Sequence, residues 1–117
     1  MKLAHLALVP VIALSPVGVG SAYASFDCGQ ASWYALNSKT ASGEQMNPNA
    51  FTAAHRKLRF GTKLKVTNPS NGRSVVVRIN DRGPFAGNRV LDLSKAAARE
   101  IGIINQGHAR VCMKQVG

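Results

Sequence analysis

The clearest alternation of apolar and polar residues lies in the middle of the chain. Thr62–Thr67 alternates strictly, with aliphatic side chains on one face and lysines on the other. Ser74–Asn80 is rich in β-branched residues, and its valines and isoleucine again share one face. Between the two runs, Asn71 and Gly72 form a dipeptide that strongly favours a hairpin turn. The pattern therefore predicts an antiparallel hairpin.

Shorter runs predict the remaining elements. Further strands are expected at Gln30–Ala35, Phe51–His55, Arg89–Leu93 and Gly107–Val116. Ser94 is placed to cap a helix that runs to about Ile101, and Gly102 is placed to end it. Five or six short strands with one short helix predict an all-β fold, a compact barrel.

The first 24 residues are typical of a signal peptide rather than of the fold. Lys2 provides a positive start, Leu3–Leu14 is apolar, and Ala22–Ala24 resembles a cleavage site. A membrane anchor is the alternative, but prolines and glycines interrupt the apolar stretch. We expect cleavage after Ala24, a single mature domain at 25–117, no stable membrane anchor afterwards, and a periplasmic or secreted location.

The charge balance is strongly basic. The 117 residues contain 15 Lys and Arg against 5 Asp and Glu, a net charge of +10, and removal of the leader loses only Lys2. Such a balance favours anionic partners: nucleic acid, anionic lipid or the acidic polymers of a bacterial envelope. Export argues against nucleic acid. Because the basic residues are scattered singly, a role in solubility explains them equally well.

Two cysteines, Cys28 and Cys112, lie near opposite ends of the mature domain. In an oxidising compartment they are expected to form a disulfide, which would stabilise so small a domain by roughly 4 kcal/mol. Cys28 lacks a lipobox context. The cysteines and the two mature histidines, His55 and His108, lack the spacing of a metal site, so neither a metal nor a cofactor is expected. We expect a monomer.

Acidic residues are few enough for elimination to be informative. They are Asp27, Glu44, Asp81, Asp92 and Glu100. Asp27 adjoins a cysteine and Glu100 lies beside Arg99 in the expected helix, so both are expected on the surface. Glycosidic cleavage needs a carboxylic acid that protonates the leaving oxygen and negative charge that stabilises an oxocarbenium-like centre. Three carboxylates remain as candidates for this chemistry.

Each candidate also has a structural interpretation. Glu44 lies in a small polar loop and could cap a turn. Asp81 follows a strand and could pair with Arg82 or cap the turn. Asp92 alternates with apolar neighbours and could be a buried acceptor for backbone amides.

Three further side chains have two interpretations. His55 ends an apolar run, where it could be a structural hydrogen-bonding residue or could orient Glu44 or a sugar hydroxyl. Trp33 and Tyr34 could belong to the core or present aromatic faces to sugar rings. Serine-hydrolase chemistry is not indicated, since the chain has no G-x-S-x-G sequence.

At this point the motifs, taken together, resemble a known family, the RlpA-like proteins. They are Ala31-Ser32-Trp33-Tyr34, Thr40-Ala41-Ser42-Gly43-Glu44, Thr52-Ala53-Ala54-His55, Phe60-Gly61-Thr62, Val66-Thr67-Asn68, Asn71-Gly72-Arg73-Ser74-Val75, Asn80-Asp81-Arg82-Gly83-Pro84-Phe85 and Leu91-Asp92-Leu93-Ser94. Their order and spacing agree over almost the entire mature chain. The chain departs from the family pattern in two places. The segment before Thr40 is short, and Ala35 stands where glycine is usual. Both departures could reshape the groove beside Glu44.

The resemblance implies a six-stranded double-psi β-barrel, related in fold to expansins. It also implies lytic transglycosylase activity on peptide-stripped peptidoglycan strands. An acid protonates the bond between N-acetylmuramic acid and N-acetylglucosamine, the muramic C6 hydroxyl attacks, and a 1,6-anhydro end results. Glu44, His55 and Asp81 resemble the family's active-site residues, and Asp92 resembles the aspartate of the related expansin motif.

The same motifs indicate the substrate contacts and leave two rival functions. Expected contacts, besides His55 and the two aromatic residues, are Thr40, Ser42 and Arg82. Either Glu44 or Asp81 is expected to be the acid, with the other as electrostatic partner, and Asp92 is kept as a rival acid. One rival function is a non-catalytic, expansin-like wall-loosening protein. The other is an inverting hydrolase, which would need carboxyl groups about 6.5–9.5 Å apart.

Overall fold

A computed structural model describes residues 27–117, and the expected leader lies outside them. The chain forms six strands and, within the described part, one helix. They are β1 (Asp27–Tyr34), β2 (Thr52–Ala54), β3 (Lys63–Thr67), β4 (Ser74–Asp81), β5 (Arg89–Ser94), α1 (Lys95–Glu100) and β6 (His108–Val116). No helix in this part of the chain is long and apolar enough to cross a membrane.

The strands close into a barrel in the order β1-β5-β2-β4-β3-β6. The pairs β1–β5 and β2–β4 are parallel, and the other four pairs are antiparallel. The predicted hairpin is confirmed as β3–β4. The all-β barrel with six strands and one short helix is therefore confirmed.

Alternating positions of the strands fill the barrel interior. The fully buried aliphatic residues include Leu64, Val66, Val77, Ile79, Leu91, Leu93 and Val111. The helix closes one side of this core with three buried alanines and is followed by buried Ile101 and Ile103. Since each strand has only one face in the core, the other face is available for polar chemistry.

Local signals explain where several elements begin and end. The Ser94 hydroxyl caps α1 by accepting from the Ala97 amide at 3.2 Å, and it donates to the Ala50 carbonyl at 2.6 Å. In the β3–β4 turn, Gly72 has a φ of +76°, and its amide donates to the Asn68 carbonyl at 2.8 Å. A left-handed φ of this kind favours glycine, as the sequence predicted.

Element boundaries differ from the sequence-based expectation mainly in β1 and β2. The structure starts β1 at Asp27, because Asp27, Cys28 and Gly29 pair with β6. It limits β2 to Thr52–Ala54, between two neighbouring strands. Long-range pairing sets both boundaries.

The expected disulfide is confirmed. Cys28 and Cys112 are directly opposite each other in the β1–β6 pair, with Cα atoms 4.0 Å apart, and they close a separation of 84 residues. The bond joins the first and last strands, whose pairing is needed to close the barrel.

Candidate active site

One row of residues crosses four strands on the outside of the barrel. Strand pairing aligns Ser32 with Asp92, Asp92 with Ala54, and Ala54 with Asp81. Their sequence neighbours Ala31, Leu91, Leu93 and Ala53 lie in the core, so the row is on the other face of the strands, where Ala54 is buried and the other three side chains are partly exposed. We call these four positions the carboxylate row. Because neighbouring strands lie about 4.8 Å apart, the backbones of Asp81 and Asp92 are roughly 10 Å apart.

Asp81 is held by neutral donors. Its Oδ1 accepts from the backbone amides of Ala41 at 2.8 Å and Arg82 at 2.9 Å. Its Oδ2 accepts from the Tyr34 hydroxyl at 2.9 Å. The carboxylate thus sits at the end of β4 in a fixed orientation, with loop 40–45 on one side and β1 on the other.

Tyr34 links the two aspartates electrostatically. Burial raises the pKa of the Tyr34 phenol well above its ordinary value, and the hydrogen bond to Asp81 and the negative charges of Asp81 and Asp92 raise it further. The phenol therefore stays protonated and remains a donor to Asp81.

Asp92 occupies the β5 position of the row. Its Oδ1 accepts from the Ser32 hydroxyl at 2.5 Å and lies 3.4 Å from the Nε of Arg89. The Arg89 Nε is buried and makes no well-formed hydrogen bond with a partner in residues 27–117, so this second contact is an ion pair only. Side chains, rather than the backbone amides considered from the sequence, therefore hold Asp92.

Glu44 is paired with a cation. The Arg78 guanidinium donates to both carboxylate oxygens, at 2.9 and 2.8 Å. Hydrogen bonds from Arg78, and smaller ones from Asn80 and Ser42, lower the pKa of Glu44 from 4.5 to about 2 against an opposing effect of burial. Glu44 is consequently ionised throughout the neutral range. A group that must carry a proton near neutral pH is better sought elsewhere.

Thr40 and Ser42 shape the loop that presents Glu44. Their hydroxyls are 2.9 Å apart, and the Thr40 hydroxyl also donates to the Glu44 carbonyl at 2.9 Å. The Ser42 amide donates to the Asn80 carbonyl at 3.3 Å, which joins the loop to the end of β4. These hydrogen bonds of Thr40 and Ser42 hold the loop in place.

The His55 ring is turned toward its own loop. Its Nδ1 accepts from the amides of Lys57 at 3.0 Å and Leu58 at 3.1 Å, which assigns the ring proton to Nε2. Burial, and next the charge of Arg82, lowers the pKa of His55. The His55 backbone amide donates to the Asp81 carbonyl at 3.2 Å. Within residues 27–117, the imidazole makes no hydrogen bond to any of the three candidate carboxylates.

Trp33 and Arg82 also lie away from the row. The Trp33 indole N–H donates to the Ile104 carbonyl at 3.3 Å and the ring packs against the core, on the opposite face of β1 from Tyr34. The Arg82 guanidinium donates to the His55 carbonyl at 3.1 Å and lies 4.1 Å from the centre of the Phe60 ring. Arg82 therefore reaches the Asp81 carboxylate through its backbone amide and not through an ion pair.

Several neighbours of the carboxylates were missed from the sequence. The outward orientation of Arg78 could have been found from the alternation of β4, whereas its pairing with Glu44 is set by the packing of loop 40–45. Asn80 could not have been found, because the irregular β2–β4 register skips it. Its buried Oδ1 has no hydrogen-bond partner within residues 27–117. Phe85 lies four residues after Asp81 and is 82% exposed. Its ring is 3.5 Å from the position that a Cβ atom on Gly83 would occupy.

No group of three or more His, Cys, Asp or Glu side chains within residues 27–117 is arranged to hold a metal ion. The polar side chains of the row and its neighbour are the carboxyl groups of Asp81 and Asp92, the Ser32 hydroxyl and the Tyr34 phenol.

Comparison with known proteins identifies the family. The family model described as lytic transglycolase matches residues 27–113, which is most of the chain. The chain belongs to this lytic transglycolase family. It is 53% identical over 91 residues to the endolytic peptidoglycan transglycosylase RlpA of Neisseria meningitidis, a match that covers 75% of this chain and 38% of that protein. The chain thus spans well under half the length of that relative.

Solved structures share the barrel. The Streptomyces papain inhibitor superposes with a TM-score of 0.67 at 20% identity, over 79% of this chain and 94% of that one. A Clavibacter michiganensis expansin, solved as a mutant in complex with cellohexaose, gives a TM-score of 0.62 at 25% identity, over 79% of this chain and 50% of that one. The double-psi β-barrel and the likeness to expansins are thereby confirmed. The inhibitor also shows that the fold alone does not fix an activity.

Proposed function

We propose that this family member is an endolytic peptidoglycan lytic transglycosylase. The observation that carries the proposal is the outward row in which Asp81 and Asp92 flank the small residue Ala54, with the Tyr34 phenol bound to Asp81. The similarity to the Neisseria protein supports the choice of peptidoglycan as substrate. The likeness to a glycan-bound expansin supports an extended sugar chain as the ligand.

Of the three acids left open by the sequence, we assign the proton transfer to Asp81. Glu44 is a poor donor because Arg78 lowers its pKa to about 2. Asp81 lies between loop 40–45 and β1, and its neutral donors hold its carboxyl group in one orientation beside Tyr34. Asp92 and Glu44 are then the ionised groups that stabilise the positive charge of the transition state.

The reaction balances without water. Asp81 gives its proton to the glycosidic oxygen as the bond from that oxygen to the muramic C1 breaks. The C6 hydroxyl oxygen of the same sugar bonds to C1 and closes the 1,6-anhydro ring. The hydroxyl proton returns to Asp81, which restores the starting state.

Residues outside the row have supporting roles in this proposal. Tyr34 fixes the Asp81 carboxyl group, and Thr40 and Ser42 fix the loop with Glu44. The exposed Phe85 ring offers an apolar face for a sugar beside Asp81. His55, Trp33 and Arg82 act through the scaffold, since their contacts are with backbone and core.

Mass analysis of the products tests the proposal. Peptide-stripped glycan strands incubated with the purified protein are expected to gain 1,6-anhydro ends, 18 mass units below reducing ends (roughly one water). Reducing ends in their place would identify an inverting or retaining hydrolase. Binding to the strands with no new ends over the whole pH range would favour the expansin-like, non-catalytic function.

An extracytoplasmic place of action follows from the family, and the finer assignment to periplasm or medium is part of the proposal. Sequencing the N-terminus of the exported protein tests the expected cleavage after Ala24. A mature chain that still begins at Met1 would contradict it.

A further inference from the structure

The side of the barrel formed by β3 and β6 has a different chemistry from the carboxylate row. Its outward positions include Lys63 and Lys65 on β3 and Arg110 and Lys114 on β6, because Leu64, Val66, Val111 and Met113 between them are buried. Neither strand contains an acidic residue. We call these four cationic positions the basic face.

Strand pairing brings like charges together on this face. Lys65 is directly opposite Lys114 in the β3–β6 pair, and Lys63 is directly opposite Arg78 in the β3–β4 pair. Like charges at such positions are destabilising. Glu44 neutralises Arg78 at the second pair. The ammonium groups of Lys63 and Lys65 make no hydrogen bond or ion pair within residues 27–117, so they are available to an anionic partner.

The position of the face is fixed by the strand order. In the closed sequence β1-β5-β2-β4-β3-β6, β3 lies opposite β5 and β6 lies opposite β2. The strands that present Asp92 and Ala54 are thus diametrically across the barrel from the basic face. The domain therefore presents the basic face on one side and the Asp92 carboxylate on the opposite side.

The distribution of the cations indicates the shape of the partner. Lys63 and Lys65 are separated along β3 by about 7 Å, and β6 adds further cations about 4.8 Å to the side. Charges spread in two dimensions match a plane of anionic groups better than a single file of charges. Val76, 46% exposed and opposite Lys65, adds an apolar side chain of the kind that enters a lipid interface.

A cleft of about 440 Å³ continues from this face at the ends of β3 and β6, and its charged lining residues are Arg59 and Lys63. Two cations in one concave space suit a phosphate group. We propose that the basic face docks the domain peripherally on a bilayer of acidic phospholipids, with a headgroup phosphate near this cleft.

Docking in this way leaves Asp92 and Ala54 on the side away from the bilayer and accessible to glycan strands, and Asp81 lies on β4, the neighbour of β3. That consequence rests on the proposed function, whereas the lipid binding does not. Asp81→Asn is therefore expected to bind vesicles like the unaltered protein, so failure of the enzymatic proposal and failure of the docking proposal can be told apart.

Vesicle co-sedimentation tests the docking. The purified protein is expected to sediment with vesicles of phosphatidylglycerol and phosphatidylcholine in equal parts, and not with phosphatidylcholine alone. Binding is expected to disappear at about 1 M salt, where the screening length is only about 3 Å. Removing two surface cations with Lys63→Gln and Lys65→Gln together is expected to weaken binding at least about tenfold.

The matched control is Lys39→Gln with Lys57→Gln, which removes the same charge from exposed sites elsewhere. It is expected to change binding less than about twofold. An equal loss in both pairs, or no loss in the β3 pair, would overturn the proposal. Capture of soluble polyphosphate by a protein that ignores the vesicles would also overturn it, and would indicate a linear polyanion.

Discussion

The two polar sides of the barrel differ in how their charged groups are held. On the carboxylate side, Asp81, Asp92 and Glu44 are each fixed by hydrogen bonds or an ion pair. On the basic side, the ammonium groups of Lys63 and Lys65 make no hydrogen bond or ion pair within residues 27–117. Fixed groups suit chemistry, which needs reacting atoms in place, and mobile cations suit a partner without a defined geometry.

The difference has a cause in the fold. The carboxylate side is built from β1, β5, β2 and β4, which include both parallel pairs and residues far apart in the chain. The basic side is built from regular antiparallel strands. Register shifts in the parallel pairs bring different side chains to one place, whereas the unbroken β3–β6 register repeats one alternation of buried and outward positions.

The largest expected effect is that of Asp81→Asn. Loss of the transferable proton should lower the rate of anhydro-end formation at least about 100-fold, as for other general acids. The melting temperature should change little, because the amide keeps the shape of the side chain. Glu100→Gln, on the exposed surface of α1, is the matched control and should retain full activity. Equal rates for both variants would remove Asp81 from the mechanism.

The second largest effect is expected from removal of the disulfide that joins β1 of the carboxylate side to β6 of the basic side. Cys28→Ser with Cys112→Ser frees a closed segment spanning 84 residues, so the free energy of unfolding should fall by about 4 kcal/mol. Native-state hydrogen exchange should show the amides of β1 losing more protection than those of the β3–β4 hairpin. Chemical denaturation measures the total loss. Unchanged stability would show that strand pairing alone closes the barrel.

A smaller effect is expected for Tyr34→Phe. The substitution removes the hydroxyl that donates to Asp81 at 2.9 Å but keeps the ring. Because the Asp81 carboxyl group would lose its fixed orientation, kcat should fall roughly tenfold. KM should stay the same if Tyr34 positions Asp81, whereas a rise in KM with unchanged kcat would assign Tyr34 to substrate binding.

The smallest effect is the pH dependence of stability at Glu44. Its pKa in the folded protein is lowered from 4.5 to about 2, so the ion pair with Arg78 stabilises the fold above pH 4.5. This contribution should be lost as the pH falls toward 2. The pair is largely solvated, so the difference between the unaltered protein and Glu44→Gln should be at most about 1 kcal/mol. Thermal unfolding of both proteins between pH 7 and pH 2 measures it. A difference that grows on acidification would contradict the assignment.

Much of the fold could be predicted from local signals. The alternation of Thr62–Thr67, the turn at Gly72 and the cap at Ser94 are all local, and the structure contains each of them. The opposite faces of Trp33 and Tyr34 were also predictable in principle, because successive strand residues alternate sides. The sequence-based expectation instead gave both rings the same two interpretations, core residues or faces for sugar rings.

The site was less predictable. Elimination among the acidic residues gave the three candidate carboxylates, and the family resemblance gave them a function. The pairing of Glu44 with Arg78 depends on how loop 40–45 lies against β4. The inward turn of the His55 ring depends on two amides of the following loop. Such contacts are decided by loop packing, which has no periodic signature.

The carboxylates show most clearly what the sequence determined and what it left to the tertiary structure. Composition restricted the chemistry to a few acids, and local pattern placed Asp81 and Asp92 in or at the ends of strands. Only strand order set both beside Ala54, because parallel pairing joins segments that are distant in the chain. The same order placed the lysines of β3 across the barrel from Asp92. The physical reason is that hydrophobic alternation fixes which face of a strand is buried, but not which strands become neighbours.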